Sequence, residues 1–97
     1  MRLEWSLFAL ADREAIFDYI ETESPQAAVA VDDRIRKQIV RLAKFPEMGR
    51  DGRVKGTREL VIQRTPYIVA YEIKSDAVRI LRVLHSARIW LDDFPEG

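Results

Sequence analysis

Three kinds of hydrophobic spacing follow one another along the chain. Arg2 to Trp5 alternates charged and apolar residues, which predicts a short first strand ending at Ser6. Phe8, Ala11, Ala15, Ile16, Tyr19 and Ile20 then recur at the spacing of one helical stripe, while Asp12, Arg13, Glu14, Asp18 and Glu21 lie mostly off it. Ser6 suits the N-cap, because its hydroxyl accepts a backbone N–H that the first turn leaves unsatisfied. This helix is expected to stop near Thr22-Glu23. Ser24-Pro25 opens a second one, since proline's missing N–H costs nothing at the first helical position. Its stripe is Ala28, Val31, Ile35, Ile39 and Leu42, with Arg34, Lys37, Arg41 and Lys44 largely outside it. Pro46 ends the helix at or before Phe45. A link this short predicts an antiparallel helix hairpin.

Pro46 to Gly56 lacks apolar periodicity and reads as a loop, with Gly49, Gly52 and Gly56 supplying ordinary turn chemistry. Its glycines also permit close approach of a phosphate, although no phosphate-loop spacing is present. From Thr57 to Arg88 the period becomes two. Arg58, Leu60, Ile62 and Arg64 share one face of a strand, and Thr65-Pro66 breaks it. Tyr67, Val69, Tyr71 and Ile73 share a face of the next strand, and Lys74-Ser75-Asp76 turns it into an antiparallel partner. In that partner Val78, Ile80, Arg82 and Leu84 alternate with Arg79, Leu81, Val83 and His85. Both faces are apolar, as in a central strand. The fold class is therefore α+β: an N-terminal strand, then an antiparallel helix hairpin packed on a small antiparallel sheet. The sheet's other face is expected to be open and lined by basic residues.

At 97 residues without an internal repeat, the chain reads as one domain over 1–97, with an acidic tail at 92–97. No cysteine is present, so neither disulfides nor thiolate metal sites support it. No long apolar run and no signal-peptide core occur, which predicts a cytoplasmic protein with no membrane association. The formal net charge of zero conceals strong segregation. Residues 1–33 hold two basic groups against eight acidic ones, residues 34–64 ten against three, and residues 65–97 four against five. The middle block can present a positive surface to phosphates or to an acidic partner, or simply form a solvated helix face and loop.

Only one imidazole is present, and no metal-ligand or nucleotide-binding motif accompanies it, so neither metal nor other cofactor is expected. The chemistry left open is metal-independent cleavage of RNA through its own 2′-hydroxyl. That reaction needs a proton donor and acceptor, and cations facing the developing phosphorane charge. His85 suits the first role, since its ordinary pKa lies near neutrality. Arg58 and Arg82 are the candidate catalytic cations, since guanidinium holds phosphate bidentately. Arg50, Arg53, Lys55, Arg64, Tyr67 and Arg88 are the candidate RNA- or phosphate-binding residues, and Tyr67 or Tyr71 offers a stacking ring. Each has a structural counterpart: a backbone hydrogen bond for His85, a pairing of Arg82 with Glu72 or Glu59 across the sheet, and core packing for the tyrosines.

Leu3-Glu4-Trp5, the helix hairpin with Ser24-Pro25, and Phe45-Pro46-Glu47-Met48-Gly49-Arg50 occur in order along the chain, followed by Gly56-Thr57-Arg58-Glu59-Leu60, Tyr67-Ile68-Val69-Ala70-Tyr71 and Arg79-Ile80-Leu81-Arg82-Val83-Leu84-His85. In this order the segments resemble the RelE/ParE superfamily of toxins from type II toxin–antitoxin modules, over about residues 1–90. The resemblance implies a helix hairpin on a sheet and a cognate antitoxin that wraps and blocks the toxin, with a toxin–antitoxin heterotetramer as an assembly. It implies one of two targets: mRNA cut in the ribosomal A site, as in RelE-like members, or DNA gyrase poisoned without nuclease activity, as in ParE-like ones. His85 matches a position near the end of the last strand where some ribonuclease members carry a functional histidine, and Arg58 matches a basic position often kept before the third strand. Ile68 stands where many of them have arginine, and Ile89-Trp90 occupies the region of a tyrosine that some of them use. The reading slightly favours the endoribonuclease, with the gyrase poison and an inactive, antitoxin-binding fold as alternatives.

Overall fold

Residues 1–87 are described by the computed structural model, and they run strand, helix, helix and four strands. These are β1 (Arg2–Trp5), α1 (Leu7–Glu21), α2 (Pro25–Val40) with a 3₁₀ turn over Arg41–Ala43, β2 (Arg50–Asp51), β3 (Arg58–Val61), β4 (Tyr67–Lys74) and β5 (Ala77–His85). The helix hairpin packs on one face of the sheet, so the α+β class and the meander stand as expected. Arg88, Trp90 and the acidic tail at 92–97 lie outside the described residues.

Two features depart from a wholly antiparallel sheet. The strand order is β1-β5-β4-β3-β2, and β1 enters parallel to β5. The hairpin separates β1 from the meander in sequence, so no tight turn forces it to run antiparallel. Arg50 and Asp51 also pair with Glu59 and Arg58, which places a short strand inside the expected loop.

The core lies between the hairpin and the sheet. On α2 and its 3₁₀ extension Ala28, Ile35, Ile39 and Leu42 are buried and Val31 packs against them, which is the predicted stripe. On α1 the stripe differs. Ala9 is buried and Ile16 and Ile20 pack on the core, whereas Phe8 and Tyr19 are exposed. Apolar residues occur nearly all round α1, so spacing alone selects no single face. Polar anchors settle its rotation: Ser6 Oγ caps the Ala9 N–H at 3.0 Å, and Asp12 and Arg13 make inward ion pairs.

The last strand carries a β-bulge. Ala70 pairs with Arg82 and Tyr71 with Ile80, which leaves Leu81 without a partner on β4. Alternation shifts by one residue there, so Val83 joins Val78 and Ile80 in the core where the period predicted Leu84. The first helix satisfies the backbone groups that the bulge exposes. Ser6 Oγ donates to the Leu81 carbonyl at 2.8 Å, and an Asp12 carboxylate oxygen accepts the Val83 N–H at 3.0 Å. On the opposite face Ile68, Ala70 and Leu84 are buried too, so its centre is not the open basic surface that was expected.

Candidate functional site

The bulge and α1 together build one end of the molecule. Asp12 grips Arg82 through two bonds, Nε to Oδ2 at 2.7 Å and Nη2 to Oδ1 at 2.8 Å. These hydrogen bonds to Asp12 hold the Arg82 guanidinium above its usual pKa, against the opposing effect of burial. The partner is therefore neither Glu72 nor Glu59. An arginine held bidentately by an acid presents little net charge to a phosphate.

Beside this pair a groove of about 550 Å³ separates α1 from the ends of β4 and β5. Ile16, Ile20 and Val83 give it apolar walls, and Tyr19, Tyr67 and His85 give it polar groups. Tyr67 is 7% exposed, and its ring meets that of His85 edge-on, with centroids 5.6 Å apart and planes at 83°. It is not a stacking platform for a base. Burial pushes the Tyr67 hydroxyl above its usual pKa, and Tyr19 adds to the effect. His85 is exposed at the strand end, where its Nδ1 accepts the Ala87 N–H at 3.1 Å. That bond places the neutral ring's proton on Nε2, which has no hydrogen-bond partner among the described residues.

Arg58 belongs to a different cluster. The Tyr71 hydroxyl donates to the Pro46 carbonyl at 2.7 Å and accepts the Gly49 N–H at 2.8 Å. Arg58 Nη1 donates to the Gly49 carbonyl at 2.8 Å. Gly49 is required there, because a Cβ would come within 2.6 Å of the Tyr71 hydroxyl and 2.8 Å of the Glu59 carbonyl. Tyr71 is fully buried, so it offers no stacking surface either.

Glu59, 3% exposed, neutralises the basic loop. It accepts the Arg53 N–H at 2.9 Å, Arg53 Nε at 3.1 Å and Arg50 Nη2 at 3.3 Å. Burial pushes its carboxyl up, but the Arg53 N–H and the two guanidinium groups outweigh this and hold it below its usual value. Arg50 and Arg53 are thus structural partners of Glu59. Lys55 is exposed in the turn at Gly56 (φ 82°), and Arg64 is exposed in the turn between β3 and β4. Arg88 lies outside the described residues.

The candidate residues therefore do not converge. Arg58 sits opposite Tyr71 and His85 opposite Tyr67 on the intervening strand. Four residues of strand offset them by about 13 Å, before the width of β4 is added. Among the described residues, the candidates that share one region are Tyr67, His85 and the Arg82–Asp12 pair. Asp12 is the residue of this region that periodicity missed, and Tyr19, assigned to the core stripe, is exposed at the groove. An acid embedded among the apolar residues of α1 was the available signal for Asp12. Among the described residues no three His, Asp or Glu side chains cluster to hold a metal ion, and no helix is long and apolar enough to cross a membrane.

A helix hairpin on one face of a five-stranded sheet, with a tyrosine–histidine groove at one end, defines a small α+β protein. The profile of the ParE toxin of type II toxin–antitoxin systems (parDE) matches residues 3–90, and the chain belongs to this family within the RelE/ParE superfamily of toxins. It is 45% identical over 89 residues to Y4kP of Sinorhizobium fredii, a toxin by name, with 92% of each chain covered. It is 40% identical over 85 residues to toxin RelE2 of Caulobacter vibrioides, covering 88% of this chain and 94% of that one. A chain from the chromosomal ParDE toxin–antitoxin system of P. aeruginosa superposes with a TM-score of 0.79 at 31% identity, over 88% of this chain and 95% of that one.

Proposed function

We propose that this toxin acts as a ParE-like poison of DNA gyrase, by binding and not by cleaving RNA, and that a cognate antitoxin holds it inactive. One observation carries the choice between targets. Phosphodiester cleavage needs its proton-transfer group and its cations within hydrogen-bond reach of one phosphate. Here Arg58 and His85 stand opposite residues four apart on β4, and Asp12 occupies Arg82. The ParE family profile and the ParDE structural neighbour support the same branch. The antitoxin is expected to anchor apolar residues in the groove beside Tyr67.

The reading is tested by inducing the toxin without antitoxin and following translation and DNA supercoiling side by side. Loss of supercoiling and a DNA-damage response, with translation initially intact, is the expected result. Immediate arrest of translation, with codon-positioned cuts in primer extension, would sink it. That second outcome belongs to the RelE-like reading, a ribosome-dependent mRNA endonuclease. It draws on one feature, the Nε2 of His85 at the groove, which has no hydrogen-bond partner among the described residues.

A further inference from the structure

The positive middle block is not uniformly neutralised. Glu59 holds Arg50 and Arg53, and Asp33 holds Arg36 at 3.0 Å and Lys37 at 2.9 Å. Arg34, Arg41, Lys44 and Arg64 have no carboxylate partner among the described residues. The fold brings these four together. Arg34, Arg41 and Lys44 are spaced seven and three residues apart, so they share one outer face of α2 and its 3₁₀ extension over about 15 Å. Gln38 lies between Arg34 and Arg41 and grips the β3–β4 turn. Its Oε1 accepts the Gln63 N–H at 2.9 Å, and its Nε2 donates to the Gln63 carbonyl at 3.3 Å. The next residue is Arg64, in the exposed turn that this clamp ties to α2.

Arg64 adds an independent observation. Its φ is +65°, and among the described residues it is the one non-glycine residue in the left-handed region. Glycine or asparagine takes that conformation more easily, so an arginine is held there at a conformational cost. The outer side of α1 has the opposite sign: Glu14, Asp18 and Glu21 are exposed with no ion pair among the described residues. The molecule is therefore polarised, with cations on the α2 side.

We infer that Arg34, Arg41, Lys44 and Arg64 form a docking surface for the sugar–phosphate backbone of duplex DNA. Cations spread along a convex helix face complement a line of phosphates. Single-strand binding relies on several aromatic rings interleaved with the cations, whereas here one ring, the half-exposed Phe45, stands at the end of the row with Lys44 Nζ 5.7 Å from its centroid, and no aromatic side chain lies between Arg34 and Lys44. The partner therefore reads as duplex, bound without base readout. The inference extends the proposed action on gyrase, whose substrate is DNA, but its test omits gyrase and so stands or falls separately.

The test is fluorescence anisotropy of the antitoxin-free toxin with a short labelled duplex of arbitrary sequence, across a salt series. Four phosphate contacts give a slope of log affinity against log salt near −3.6, and Arg41→Gln/Lys44→Gln/Arg64→Gly should bring it to about −0.9. Arg36→Gln, which removes a paired cation from the same helix, should leave the slope unchanged. The melting temperature of Arg64→Gly should rise while its slope falls, which separates lost binding from lost folding. Absence of binding at low salt would overturn the inference. So would an equal slope change in Arg36→Gln, tighter binding to single-stranded DNA or RNA, or a triple variant that loses antitoxin binding and keeps DNA binding.

Discussion

Arg82 and Arg41 carry the same group and meet opposite fates. Arg82 points from β5 into an acid on α1, and two bonds under 3 Å extinguish its charge as a ligand site. Arg41 lies at the end of α2 with no carboxylate opposite it among the described residues. Three other arginines of the sheet and its loops behave like Arg82: Arg58 ties a loop carbonyl, and Arg50 and Arg53 share Glu59. Those of the α2 face remain available. Charge counted along a sequence thus differs from charge offered at a surface. In this chain Arg50, Arg53, Arg58 and Arg82 hold the sheet and its loops together, whereas Arg34, Arg41 and Lys44 on the α2 side and Arg64 in the β3–β4 turn face no carboxylate among the described residues.

The sharpest way to break this contrast is at Asp12. Asp12→Ala leaves a largely buried guanidinium and the Val83 N–H unpaired, and should cost about 3 kcal/mol in chemical denaturation. Removing Arg82 as well, in Asp12→Leu/Arg82→Met, should recover most of that loss. Equal destabilisation by the double variant would mean that the pair does more than neutralise itself. Next in size is Gly49→Ala. A methyl 2.6 Å from the Tyr71 hydroxyl must displace the loop that Arg58 and Tyr71 hold, at about 2 kcal/mol.

Glu59→Gln should cost about 1 kcal/mol at neutral pH, since a neutral amide still accepts the Arg53 N–H but no longer draws in two guanidinium groups. It also tests the titration. The folded carboxyl lies below its usual value, so its stabilisation is complete above the unfolded pKa of about 4.3 and is lost as pH falls through the folded value. Melting curves of wild type should therefore fall more steeply on the acid side than those of Glu59→Gln. The smallest effect has the opposite sign: Arg64→Gly should stabilise by about 0.5 kcal/mol, because relief of the left-handed arginine exceeds the entropy that glycine loses.

How far the chain could be read in advance depended on how one-sided each element is. The second helix carries its apolar residues on one stripe, and Ala28, Ile35, Ile39 and Leu42 are buried as spacing predicts. The first helix is apolar on several sides, and contacts distant in sequence choose its face, so Phe8 and Tyr19 were misplaced. Alternation found β5 but not its bulge, because one unpaired residue at Leu81 exchanges the roles of Val83 and Leu84. The candidate site was legible as residue types and not as a constellation. Nothing in the spacing of Arg58, Arg82 and His85 reveals that β4 keeps the first from the last or that Asp12 takes the second.

Purified gyrase is the most direct test of the proposed action on gyrase without a catalytic histidine. Supercoiled plasmid and gyrase are incubated with wild-type toxin and with His85→Ala, and cleaved DNA is quantified beside supercoiling. Both proteins are expected to trap gyrase on cleaved DNA to a similar extent. Gyrase left unaffected by the wild-type toxin, together with mRNA cleavage that His85→Ala abolishes, would contradict it.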